Sequence, residues 1–72
     1  MRETREGTVK WFSTRRGYGF ITGEDGLDSF VHFSEIRGEG YRSLKTGEQV
    51  SYEIEDSERG MRARNVIRLN AA

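Results

Sequence analysis

A small all-β barrel is the fold class this sequence predicts, and three observations carry it. Apolar and aromatic residues gather in five short β-favouring runs, over residues 7–13, 17–22, 28–33, 49–55 and 62–69. Turn-forming residues, glycine foremost, separate these runs, and no stretch repeats with the period of an amphipathic helix. At 72 residues the chain makes one small domain, expected to span 1–72 with an ordered core from about residue 7 to 69. Closure into a barrel would protect edges that so small an open sheet leaves bare.

Residues 1–6 are charged and aperiodic, and read as a frayed lead-in. The run from Gly7 to Ser13 holds Thr8, Val9, Trp11 and Phe12. The adjacent pair Trp11-Phe12 breaks alternation, which predicts a bulge with Val9 and Phe12 inward and Lys10 and Trp11 outward. Ser13 to Arg16 is a short hairpin loop. Gly17 to Thr22 is the second strand, ended by the turn Gly23-Glu24-Asp25-Gly26. Asp28 to Phe33 is the third, and Ser34-Glu35-Ile36 a single helical turn with Ser34 as its cap. A long polar connection follows, with Leu44 as a core anchor and Tyr41 at the surface. In residues 49–55, Val50, Tyr52 and Ile54 share one face. Residues 56–60 turn. In the last run bare alternation groups Ala63, Ile67 and Leu69, whereas a bulge near Asn65 would bring Val66 inward.

Twelve basic residues balance twelve acidic ones. Zero net charge argues against a polycation that grips duplex phosphates, but not against single-strand binding, where stacking supplies much of the affinity. The basic set is ten Arg and two Lys, and a guanidinium can both stack on bases and fork onto phosphates. One histidine and no cysteine argue against a transition-metal site, a cofactor-holding thiolate or a nucleophilic enzyme. No apolar stretch approaches a membrane span and no signal peptide shows, so a soluble, cytoplasmic, non-enzymatic monomer is the expectation.

Six of the eight aromatic residues lie between Trp11 and Phe33. In Arg16-Gly17-Tyr18-Gly19-Phe20-Ile21 the period of a strand puts Tyr18 and Phe20 on one face, with Gly17, Gly19 and Ile21 on the other. In Ser29-Phe30-Val31-His32-Phe33 it groups Phe30 with His32, and Val31 with Phe33. Aromatics in strands are commonly core residues. Here Val9, Ile21, Val31, Ile36, Leu44, Val50, Ile54 and Val66 suffice for a small interior. If Ile21 and Val31 point inward, Tyr18, Phe20, Phe30 and His32 must point outward. An exposed cluster of that size marks a binding surface. His32 would stack on or hydrogen-bond to a base, and Lys10 and Arg16 would hold phosphates at the border. Asp28 either receives base amino groups or caps its turn. Alternation places Phe33 in the core.

These segments resemble the cold-shock domain family over nearly the whole chain. The stretch Gly7-Thr8-Val9-Lys10-Trp11-Phe12 is similar to the family's opening strand. The runs Arg16 to Ile21 and Phe30 to Phe33 resemble its two RNA-binding motifs, and Ser34-Glu35-Ile36, Gly38 to Tyr41, Gly47 to Val50 and Ala63 to Val66 keep the register. The resemblance implies a five-stranded antiparallel OB-type barrel that binds single-stranded RNA and DNA and acts as an RNA chaperone, with effects on transcription termination and translation. It implies stacking at Trp11, Tyr18, Phe20, Phe30, His32, Phe33 and Tyr41, and polar or phosphate contacts at Lys10, Arg16, Asp28 and Arg59. For Phe33 it opposes alternation. Departures are Tyr18 and Tyr41 for Phe, Arg16 for Lys, Ser13 for Asn, Met61 for Pro, and Ser29 for a β-branched apolar residue. A buried Ser29 would need a partner for its hydroxyl. The rival readings are a ribosomal or initiation-factor type of RNA-binding barrel, and a protein-interaction module that uses the rings as a hot spot.

Overall fold

The computed structural model describes residues 4–37, 43–58 and 60–69. The elements are β1 (Thr4–Ser13), β2 (Tyr18–Gly23), β3 (Asp28–His32), a 3-10 turn (Phe33–Glu35), β4 (Gln49–Ser57) and β5 (Gly60–Arg68). They close into a barrel in the order β1-β2-β3-β5-β4. Four of the strand pairings are antiparallel. The fifth, β3 on β5, is parallel through Phe30 and Arg62, so the expected all-antiparallel barrel gains one parallel seam. Thr4 to Glu6 belong to β1, where they pair with Glu53, Tyr52 and Ser51 of β4. The reading of these three as a frayed lead-in is thereby corrected: barrel closure gives them a partner strand that no local pattern announces.

The core is Val9, Ile21, Val31, Ile36, Leu44, Val50, Tyr52, Ala63 and Val66, with Phe12 and Ile54 packed partly buried against it. Inward and outward positions alternate as the period of a strand requires. The β1 register slips between Val9 and Trp11, since Val9 faces Ile21 while Trp11 already faces Phe20. This is the bulge that Trp11-Phe12 predicts, and it leaves Lys10 and Trp11 outside with Phe12 turned to the core. Across from it Gly19 lies so close to β1 that a Cβ would stand 2.2 Å from the Trp11 carbonyl oxygen and 2.6 Å from the Phe12 Cα. Both are backbone atoms, which have no freedom to swing aside.

The second bulge lies in β5. Ser51 faces Ile67 but Glu53 faces Arg64, so β5 spends one extra residue there. Asn65 takes a positive φ of 51°, a conformation that asparagine tolerates better than most residues. The shift buries Val66 and leaves Ile67 and Leu69 exposed, which settles the facing that alternation alone leaves open. Arg37 holds the Asn65 side-chain oxygen with two hydrogen bonds, at 3.0 and 2.7 Å. Asn65 Nδ2 in turn donates to Glu53. Arg64 reaches Glu35 at 2.8 Å and Glu55 at 2.7 Å. Burial alone would raise the Glu35 carboxyl, but the Arg64 hydrogen bond, the Asn65 N–H and the charges of Arg64 and Arg37 hold it below the usual carboxylate range. Together these bonds tie the 3-10 turn to β5.

Ser29 is fully buried. Its hydroxyl lies against that of Tyr52, and neither completes a well-formed hydrogen bond. Burial first, then the nearby Asp25 carboxylate, pushes the Tyr52 phenol up from its ordinary value. An unsatisfied buried hydroxyl costs about 1–3 kcal/mol.

Two consequences are measurable by thermal or denaturant unfolding. Tyr52→Phe removes one stranded hydroxyl without changing the ring and should stabilise the fold by about 1 kcal/mol; an unfolding midpoint at or below that of the parent would show that the hydroxyl is satisfied after all. Gly19→Ala forces β1 and β2 apart and should destabilise by about 1–3 kcal/mol; a loss under about 0.5 kcal/mol would mean that the strands are free to separate there.

Candidate nucleic-acid interface

The register between β2 and β3 builds the exposed face. Tyr18 pairs with His32, Phe20 with Phe30 and Thr22 with Asp28. The intervening Gly19, Ile21, Ser29 and Val31 are buried, so the six paired side chains stand on the outside. Trp11 joins them because the β1 bulge sets it opposite Phe20. Its ring centroid lies 5.6 Å from Phe20 and 6.0 Å from Tyr18. Phe30 lies 5.7 Å from Tyr18 and 5.8 Å from Phe20. These are the separations of mutually supporting aromatic pairs. Tyr18, Phe20 and Phe30 are half-buried and keep part of their surface open, and Trp11 is exposed, at 39%.

Phe33 is on this side too, 43% exposed, which corrects the core placement that alternation gives. The strand ends at His32, and the 3-10 turn that follows swings the next side chain outward. The Phe33 N–H donates to the Gly17 carbonyl at 2.8 Å. Its ring rests over Gly17, where a Cβ would come within 2.9 Å of Cδ1. Gly17 also has a φ of 80°, so both its conformation and its bareness are used. The Phe33 ring lies 4.6 Å from that of His32. The cap of the turn is His32 rather than Ser34: Nδ1 accepts from the Ser34 backbone N–H at 3.3 Å. With Nδ1 accepting, a neutral His32 ring carries its proton on Nε2.

The charged residues at the border are arranged in pairs. Lys10 Nζ donates to Asp28 Oδ2 at 3.0 Å, and the Thr22 hydroxyl donates to Asp28 Oδ1 at 2.8 Å. The Lys10 hydrogen bond, then that of Thr22, lowers the Asp28 carboxyl below its ordinary range. Asp28 therefore does not cap its turn; Asp25 does so, accepting from the Leu27 N–H at 3.0 Å. Arg16 Nη1 donates to the Tyr18 hydroxyl at 3.3 Å, which holds the guanidinium beside the ring. The Ser13 hydroxyl accepts from the Arg16 N–H at 3.2 Å, so serine meets the hairpin bond that asparagine would make. Tyr41 and Arg59 lie outside the described residues.

One part of this surface is absent from the pattern of the sequence. A groove of about 720 Å³ runs from Phe20, Asp28 and Phe30 to the end of the β4–β5 hairpin, at Ser57, Glu58, Gly60, Met61 and Arg62. It exists because β5 runs parallel beside β3. No local signal in the chain foretells that pairing. Among the described residues no group of His, Asp and Glu side chains is set to hold a metal ion, and no helix is long and apolar enough to cross a membrane.

Comparison with known proteins agrees with this geometry. Residues 5–69 match the model of the 'Cold-shock' DNA-binding domain family. Cold shock protein 1 of Lactiplantibacillus plantarum is 54% identical over 63 residues, covering 88% of this chain and 96% of its own length. Cold shock-like protein CspE of Bacillus anthracis is 53% identical over 66 residues, covering 92% and 98%. A solved structure described as drosophila Unr CSD456 superposes with a TM-score of 0.76 over 99% of this chain and 29% of its own, at 22% identity, and shares the fold. A five-stranded barrel with a row of outward rings, matched by the family over residues 5–69, places the chain in the cold-shock DNA-binding domain family.

Proposed function

We propose that the protein binds single-stranded RNA and DNA on the face formed by β1, β2 and β3, and acts as a monomeric, cytoplasmic RNA chaperone. The observation that carries this reading is the unbroken set of ring contacts from Trp11 through Phe20 and Tyr18 to Phe30. Unpaired bases stack on such rings at about 1–3 kcal/mol each by alanine substitution. Several stacked bases together exceed the stability of a weak hairpin, so binding draws the RNA towards its open form without ATP. Effects on transcription termination and translation follow where such a hairpin controls them.

In this reading Trp11, Tyr18, Phe20, Phe30, His32 and Phe33 stack on bases. The Arg16 guanidinium, steadied by Tyr18, faces the phosphates. Lys10 reaches a phosphate only by leaving or sharing Asp28, and Asp28 then accepts from a base amino group. Tyr41 and Arg59 extend the surface on the strength of the family resemblance. Zero net charge leaves most of the grip to the rings.

Two measurements bear on this. Trp11 fluorescence titrated with a pyrimidine-rich oligonucleotide should show saturable quenching. With three or four phosphate contacts, log affinity should fall with log salt at a slope of roughly −2 to −3, whereas a slope steeper than about −6 would show phosphate-dominated binding and refute the stacking picture. The double substitution Phe20→Ala with Phe30→Ala should weaken single-strand binding at least about thirtyfold, with the fold checked by circular dichroism. Retained affinity in the folded double variant would move the binding site off these rings.

A further inference from the structure

The groove beside Phe20 and Phe30 has a chemistry different from that of the rings, and we propose that it is a pocket for one guanine base of the bound strand. This rests on the single-strand reading above and adds a base preference to it. Phe20, Phe30 and the half-buried Met61 line it together. An unbranched thioether adapts to a flat ring as readily as an aromatic does. Three charged residues share the lining: Asp28, Glu58 and Arg62.

These three differ in what they leave open. Both Asp28 oxygens already accept hydrogen bonds, from Lys10 and from Thr22, so that carboxylate is a neutralised wall. Glu58 sits in the tight turn of the β4–β5 hairpin, which Ser57 fastens by donating its hydroxyl to the Gly60 carbonyl at 2.6 Å. Arg62 is fixed by backbone pairing, opposite Phe30 on one side and Glu55 on the other. Glu58 and Arg62 are exposed, and neither makes an ion pair among the described residues. Among the described residues the groove thus offers one uncommitted carboxylate, an acceptor-only fork, and one uncommitted guanidinium, a donor-only fork.

Guanine is the base that answers both forks. Its N1–H and 2-amino group are adjacent donors that fit the two oxygens of a carboxylate. Its O6 and N7 are adjacent acceptors that fit an arginine. Cytosine, adenine and thymine each lack a pair of adjacent donors, and so leave a carboxylate oxygen unanswered. A phosphate is disfavoured, because the uncommitted Glu58 carboxylate lines the same groove.

The probe is a thymine hexanucleotide with a single guanine placed at each position in turn, followed by Trp11 quenching at fixed salt. Guanine at one position should raise affinity about tenfold over the all-thymine strand. Hypoxanthine there, which lacks the 2-amino group, should lose most of that gain. The guanine-to-hypoxanthine ratio should fall to about one in Glu58→Gln, while Arg62→Gln, which loses the partner of O6 and N7, should cut the gain of guanine over thymine severalfold; the folding of both is checked by circular dichroism. A hexanucleotide series in which guanine gains nothing at any position would overturn the pocket, as would a gain that survives both substitutions. An all-thymine strand that failed to bind at all would instead overturn the single-strand reading, and the pocket with it.

Discussion

The rest of the structure depends on the close approach of Gly19 to the β1 backbone at Trp11 and Phe12. Only a residue without a side chain lets the two strands meet there. The approach accommodates the extra residue in β1, which in turn reverses the facing of everything after Lys10. Trp11 is thereby sent outward to Phe20 while Phe12 turns to the core. Had β1 kept strict alternation from the buried Val9, Trp11 would face inward and the ring set would lose its one indole. One missing side chain therefore serves the core and the exposed face at once.

Much of this was legible in the sequence, for identifiable reasons. Tyr18, Phe20, Phe30 and His32 follow a strict period of two beside Ile21 and Val31, and with one interior available the two sets had to take opposite faces. The bulge at Trp11 was legible because an apolar pair out of step admits few resolutions, whereas the facing of Val66 stayed open until the β5 bulge at Asn65 turned it inward. Phe33 was not, since its facing depends on the strand ending one residue earlier, which the hydrogen bond from its N–H to Gly17 enforces. The pairing of Thr4 to Glu6 with β4 and the parallel contact of Phe30 with Arg62 join distant parts of the chain, and no local pattern encodes them. The Lys10–Asp28 pair belongs to the same class: each residue was marked as polar and functional, but their meeting follows from strand register.

The polar side chains divide into two kinds of work. Around Glu35, Arg37, Arg64 and Asn65 they pair with one another and hold the 3-10 turn on β5. Around the rings they are partly engaged: Lys10 with Asp28, and Arg16 with the hydroxyl of Tyr18. Exposed pairs of this kind are worth little as stability. Their larger effect is to fix where long, flexible cationic side chains stand before any partner arrives, which reduces the rotamer freedom lost on binding.

The two pairing partners of β1 also divide the molecule by distance along the chain. With β2 and β3 it forms a meander of consecutive strands, and the rings of that meander are near neighbours in sequence. With β4 it joins Thr4 to Glu53, so the pairing that closes the barrel must enclose a long loop. Enclosing long loops is what slows the folding of β-rich domains. The rings thus belong to the locally wired half of the molecule and closure to the distantly wired half. Changes to the connecting segment between residues 37 and 49 act chiefly on how fast and how firmly the barrel shuts. Within it Gly47 and Glu48 bond to Val9 beside the β1 bulge, and through that residue such changes also reach the register of the rings.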